Sequence, residues 1–212
     1  MFSDMVTLFQ TGGIFMYPIL LTFAFGIAIA IERYIYLSAI KFNNRRLLAK
    51  IMPLLKQGSF QEAYQISSRS SSVAICQMLN LGLSTMQSSS RREDIEMAME
   101  EELMEIMPRL EKRTHYLAML ANISTLLGLL GTIQGLIQAF NSVAQVDPSL
   151  KAEILSTSIS VAMNTTAFGL LSAIPLIIIF SILQAKTTEI VDSLEMTTVK
   201  FVNAITKRKN TA

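Results

Sequence analysis

Two long apolar stretches of this chain carry polar side chains in their interiors. Thr125 and Thr132 stand seven apart in Leu117–Phe140, and Gln134, Gln138 and Asn141 cluster at its far end. In Ile154–Leu183, Ser158, Thr165 and Ser172 recur every seven residues, with Thr166 beside the middle one. On a helix, residues seven apart share a face. A hydroxyl donates one proton, accepts on two lone pairs and does not titrate near neutral pH. It can align water, help strip water from a cation, or bond the carbonyl four residues back. It cannot hold a proton in transit. Proton transfer through hydrocarbon normally uses a titratable relay. Ile14–Ile31, Leu117–Phe140 and Ile154–Leu183 contain no Asp, Glu, His, Lys or Arg, and Glu32 and Arg33 stand at an edge. If this chain helps conduct protons, the carboxylate comes from another protein.

Other candidate chemistry is thin. The lone His115 reads as a residue at the end of an apolar run, and Glu100–Glu102 as a solvated helix face. The glycines of GLLGTIQG lack the Gly-Lys-Ser/Thr of a phosphate loop. The single Cys76 rules out an intrachain disulfide and a cysteine-based metal site, and reads as a small apolar residue. Basic residues alternate with acids at a net charge of +2, so no nucleic-acid stripe is expected. The reading is a non-enzyme with no cofactor and no metal.

What must position the hydroxyls is a set of membrane helices. Of 212 residues, 51% are hydrophobic and 16% charged, and the apolar ones concentrate in the three stretches named above. Each meets the length needed to span a bilayer. The remainder is too small and polar to wrap three such helices as a soluble core. Gly128 with Thr132, Gly131 with Gly135, and the stripe Ala162, Thr166, Gly169 and Ala173 put small residues where helix backbones can approach closely.

Charge sets the expected orientation. Eleven cations lie between Lys41 and Arg113 and five more in the tail, against none in 1–13 and only Lys151 in 144–153. The positive-inside rule places the N-terminus outside and the large loop and C-terminus in the cytoplasm. No cation precedes the first apolar run, unlike a signal peptide. The expected plan is a periplasmic segment 1–13, whose residues 1–11 are amphipathic, a first span 14–37, a cytoplasmic helical region 38–116, a second span 117–143, a periplasmic connector 144–153, a third span 154–185 and a cytoplasmic C-terminal helix 186–212. Within the loop, helices are predicted over 41–57, 60–67 and 73–86, separated by Gly58-Ser59 and the serine clusters. A further helix starts at Arg91, with Ile95, Met99, Leu103, Ile106 and Leu110 along one face, and is expected to run into the second span, with Pro108 as a place to bend.

LLGLLGTIQGLI, preceded by LEKR at 110–113, resembles the second membrane helix of the MotA/TolQ/ExbB ion-channel family. NTTAFGLLSAIP at 164–175 resembles that family's third helix, and GGIFMYPI at 12–19 with IER at 31–33 its first. The order is right and most of the chain is covered. Three spans and a short loop fit the ExbB/TolQ type better than the four-span MotA. The resemblance implies an all-α membrane protein with long cytoplasmic helical extensions, assembled as a homo-oligomeric ring, a pentamer in that family. It implies an inner-membrane motor subunit that uses the proton motive force for a process such as TonB-dependent transport. The implied partners are a single-span ExbD/TolR-like protein bearing the titratable aspartate, and a TonB-like protein. Thr132 and Thr166 match the family's pore-facing threonines, and Thr165 joins them as ion pathway. Thr125, Ser158 and Ser172 read as helix packing, as do Gly128, Gly131, Gly135 and Gly169. Two positions depart from the ExbB/TolQ pattern. Thr125 replaces a usual proline, and Val161 a frequent glutamate, so the choice of proton or sodium is not carried over. The rival readings are a non-conducting scaffold for partner proteins, a sodium-driven motor of the same family, and a solute transporter. The transporter would call for inverted repeats, which the sequence lacks.

Overall fold

The computed structural model describes residues 12–89, 91–144 and 146–209, with side chains through Thr206. The amphipathic segment expected over 1–11, and residues 210–212 of the expected C-terminal helix, lie outside these residues. The described chain forms six helices: α1 (Met16–Gln57), α2 (Phe60–Arg69), α3 (Ala74–Ser88), α4 (Arg92–Glu111), α5 (His115–Val143) and α6 (Lys151–Lys209). No strand occurs among the described residues. Among the described residues, three helical stretches are long and apolar enough to cross a membrane, one in α1, one ending in α5 and one in α6. Their most apolar windows are only 22%, 28% and 33% buried within the chain. Most of that apolar surface therefore needs lipid or other chains to cover it.

The chain divides into two compact units, residues 1–32 with 113–182, and residues 33–112 with 183–212. In the first, Met16, Ile19 and Phe168 form a buried cluster joined by Leu127. In the second, the expected face of α4 is buried, from Ile95 and Met99 to Leu110. Leu194 and Phe201 of α6 are fully buried there as well.

Two helix ends differ from the sequence expectation. The predicted helix over 41–57 is the continuation of the first span, so α1 runs unbroken for 42 residues. It stops where expected. Gly58 adopts φ +80, the Ser59 N–H donates to the Leu54 carbonyl and the Gly58 N–H to that of Leu55. This is the Schellman arrangement that a glycine permits. In contrast, α4 does not run into the second span. It ends at Glu111, Arg113 takes φ +64, and α5 starts at His115. Pro108 removes one ladder donor near that end. The Arg33 guanidinium, nearly inaccessible to solvent, donates to the Leu110 carbonyl and so occupies one of the acceptors a helix terminus leaves open. A left-handed arginine is strained, and its side chain bonds the Glu32 carboxylate at 3.0 Å.

Candidate functional site

The first unit is built around close contact of α5 with α6. A β-carbon added to Gly128 would stand 3.2 Å from the Thr166 Cα and 3.3 Å from the Gly169 Cα. One added to Gly169 would stand 2.7 Å from the Ser124 carbonyl oxygen. At Gly135 the obstacle is the Ala162 β-carbon at 2.8 Å, and at Gly131 the Thr165 side chain. All four glycines expected at a helix interface thus lie on this seam, where side chains would hold the backbones apart.

The close approach puts hydroxyls within reach of the other helix. The Thr166 hydroxyl donates across the seam to the Gly128 carbonyl at 2.8 Å and lies 3.3 Å from the Thr132 hydroxyl. Thr132 donates to its own helix, to the Leu129 carbonyl at 2.6 Å. Each hydroxyl has one proton. The shorter bonds take both protons, and the pair presents oxygen lone pairs. Both residues are half-buried, and Leu129, Ile133, Met163 and Leu170 nearby are exposed. The pair therefore offers acceptors at a face that the chain itself leaves open. Such a face suits a protonated carboxyl, a water chain or a dehydrated cation.

Thr165 sits differently. It is 2% exposed, and its hydroxyl, with one proton to give, lies within hydrogen-bond reach of both the Gly12 carbonyl and that of Val161, the latter at 3.0 Å. It ties the chain entering α1 to α6. Thr125 and Ser172 bond the carbonyls four residues back, those of Ala121 and Phe168, at 3.2 and 2.9 Å. Ser158 is half-buried, whereas Gln134, Gln138 and Asn141 are exposed.

One polar contact escaped the sequence reading. Thr22 of α1 and Ser124 of α5 meet hydroxyl to hydroxyl at 2.8 Å, with Ser124 fully buried. Thr22 also lies 2.8 Å from the Ile19 carbonyl, to which it donates, so Ser124 supplies the proton between them. A signal existed. Thr22 is ten residues from Glu32, and Ser124 eleven from Arg113. Registering the helices on that ion pair brings the two hydroxyls level.

The remaining candidates are quiet. Cys76 is fully buried, and burial pushes its thiol up to about 11, so it is protonated and unreactive near neutral pH. His115 is exposed and rests against the Tyr116 ring at 4.2 Å. Among the described residues, no three His, Cys, Asp or Glu side chains converge as metal ligands would.

Comparison with known proteins fits this arrangement. A family model described as the MotA/TolQ/ExbB proton channel family matches residues 71–196. The chain is 49% identical over 59 residues to the biopolymer transport protein exbB1 of Vibrio cholerae, an alignment covering 28% of this chain and 26% of that one. It is 26% identical over 200 residues to a putative biopolymer transport protein ExbB homolog of Methanothermobacter thermautotrophicus, covering 92% and 68%. It is 25% identical over 144 residues to the biopolymer transport protein ExbB of Pseudomonas putida, covering 65% and 44%. The alignments thus span between 26% and 68% of these relatives' own lengths.

Proposed function

The chain belongs to the MotA/TolQ/ExbB proton channel family, and from that premise we propose that it is the channel-forming subunit of an inner-membrane motor. Copies of the chain surround single-span partner helices of the ExbD/TolR type, as a pentamer. A partner aspartate faces Thr132 and Thr166. Ion flow alternately protonates and releases that aspartate, and the change in its charge turns ring against partner. The work goes to a periplasmic or outer-membrane process of the TonB-dependent kind, through a TonB-like protein. The N-terminus and the 144–153 connector face the periplasm, and the loop and C-terminus the cytoplasm.

One observation carries this reading. Thr132 and Thr166 meet across α5 and α6, at a half-open face, with both protons engaged on backbone carbonyls. A protonated aspartate finds acceptors there, whereas its ionised form finds no donor, so the site distinguishes the two states. No acid in the apolar part of this chain competes with it. Thr165, buried against Gly12, supports the wall from behind.

Valine tests the reading, because it keeps the shape of threonine and deletes the hydroxyl. Thr132→Val and Thr166→Val leave expression and assembly intact and abolish gradient-dependent output in cells. Thr125→Val, whose hydroxyl bonds its own helix, retains output. Full activity in both seam variants removes the proposed ion path and leaves the scaffold reading in its place.

A further inference from the structure

We infer that a crevice between α1 and α6 in the second unit holds the phosphodiester headgroup of an anionic phospholipid. The crevice is a cavity of about 340 Å³ lined by Lys41, Asn44 and Arg45 of α1 and by Glu189 and Ser193 of α6, among others. That volume lies within the range of small-ligand sites. Lys41, Asn44 and Arg45 share one helix face through i, i+3 and i+4 spacing. Their polar ends supply an ammonium, an amide and a guanidinium, a donor set for phosphate oxygens.

Three observations favour a ligand over simple helix packing. Asn44 is 4% exposed, and its Oδ1 accepts from the Ile75 N–H at 3.4 Å, yet its buried Nδ2 has no hydrogen-bond partner. A buried donor left unmade is costly. Arg45 has no acidic partner among the described residues. Glu189, the one acid of the crevice, is engaged by Lys41 at 2.5 Å, so the site retains one net positive charge.

The neighbouring side chains select a lipid as the source of the phosphate. Phe42, beside Lys41, is 66% exposed, and Ile35 is 63% exposed. Tyr34, on the same helix, lies under the Lys186 ammonium at 4.1 Å. Exposed apolar side chains, tyrosines and cations in succession mark the border between acyl chains and headgroups. Acyl chains can lie along Ile35 and Phe42 while the phosphate enters the crevice. The inference needs α1 and α6 to cross a bilayer and does not depend on ion transport, so loss of motor output leaves it standing.

The test uses the full chain purified in a neutral detergent and titrated with phosphatidylglycerol, phosphatidylcholine or inorganic phosphate. Bound lipid is counted by native mass spectrometry. Phosphatidylglycerol binds saturably and more tightly than phosphatidylcholine. Arg45→Gln weakens it on the order of tenfold. Glu189→Gln, which removes the competing acid, tightens it. Lys56→Gln, eleven residues further along α1, leaves it unchanged. Equal binding of the two lipids, equal effects of Arg45→Gln and Lys56→Gln, or no gain in Glu189→Gln overturns the site. Displacement of phosphatidylglycerol by matched inorganic phosphate overturns the lipid as its occupant.

Discussion

Gly169→Ala and Gly26→Ala separate two kinds of close contact. Judged by distance alone they look alike. The new methyl group of Gly169→Ala would lie 2.7 Å from the Ser124 carbonyl oxygen and 3.1 Å from the Gly128 Cα. That of Gly26→Ala would lie 2.6 and 2.8 Å from the two methyl carbons of Leu176. The obstacles differ in stiffness. Ser124 and Gly128 are backbone inside α5, held by its ladder of hydrogen bonds, so the helices must part by about half an ångström to reach ordinary contact. Leu176 can turn its side chain, at roughly 0.5–1.5 kcal/mol if it leaves a rotamer well. Alanine regains about 1 kcal/mol of helix propensity at either site. Gly26→Ala is then close to neutral. Overpacking at Gly169 costs about 1–3 kcal/mol. Parting the seam also weakens the bond from Thr166 to Gly128, at about 0.6 kcal/mol for an average interhelical bond in a membrane. The net loss is about 0.6–2.6 kcal/mol, roughly a three- to eightyfold change in the unfolding equilibrium. Reversible unfolding in mixed micelles measures both variants. A Gly169→Ala protein as stable as the parent, or a Gly26→Ala protein that loses as much, refutes the argument from stiffness.

Three further outcomes follow from contacts described above. A double-mutant cycle on Thr22→Val and Ser124→Ala returns a coupling of about 0.6 kcal/mol, rising to about 1.7 kcal/mol if the pair is as strong as the best membrane examples, and additive losses would remove that hydrogen bond. Between pH 9 and about 11 the unfolded chain gives up the Cys76 proton while the folded chain keeps it, so stability falls as pH rises. Denaturation midpoints across that range therefore fall more steeply for the parent than for Cys76→Ala, and equal slopes contradict the raised thiol. A reporter active only in the periplasm works when fused after Val146 and fails after Ser71 or at Ala212; the reverse pattern refutes the proposed orientation.

How legible was all this in the residues? The apolar spacing within one helix located the buried face of α4, and Gly58 the local stop of α1, because these depend on residues close in sequence. Family resemblance picked out Thr132 and Thr166, and the fold brings their hydroxyls within 3.3 Å. Spacing placed Thr165 with them, but spacing says nothing of what enters from another segment, and the Gly12 carbonyl takes its hydroxyl. The break at Arg113 was hidden for the same reason. The apolar pattern of α4 leads smoothly towards α5, and the Leu110 carbonyl near the end of α4 is taken by Arg33, nearly eighty residues earlier in the chain. Thr22 with Ser124 needed the register of two antiparallel helices, which the Glu32–Arg113 ion pair supplies only once the chain is folded.

The division of the chain into interleaved segments bears on how the protein is made. The second unit takes residues 33–112 before the second and third apolar stretches are made, and 183–212 only after them. Until the end of α6 emerges, Gly82 lacks Phe201, whose ring would lie within 2.9 Å of a β-carbon at Gly82. A nascent chain stalled after its third apolar stretch therefore exposes the apolar face of α4 to chaperones and proteases. Emergence of 183–209, rather than insertion of the last span, becomes the step at which this unit closes. A chain truncated before Leu194 should be cleared by the cell although all three apolar stretches are intact.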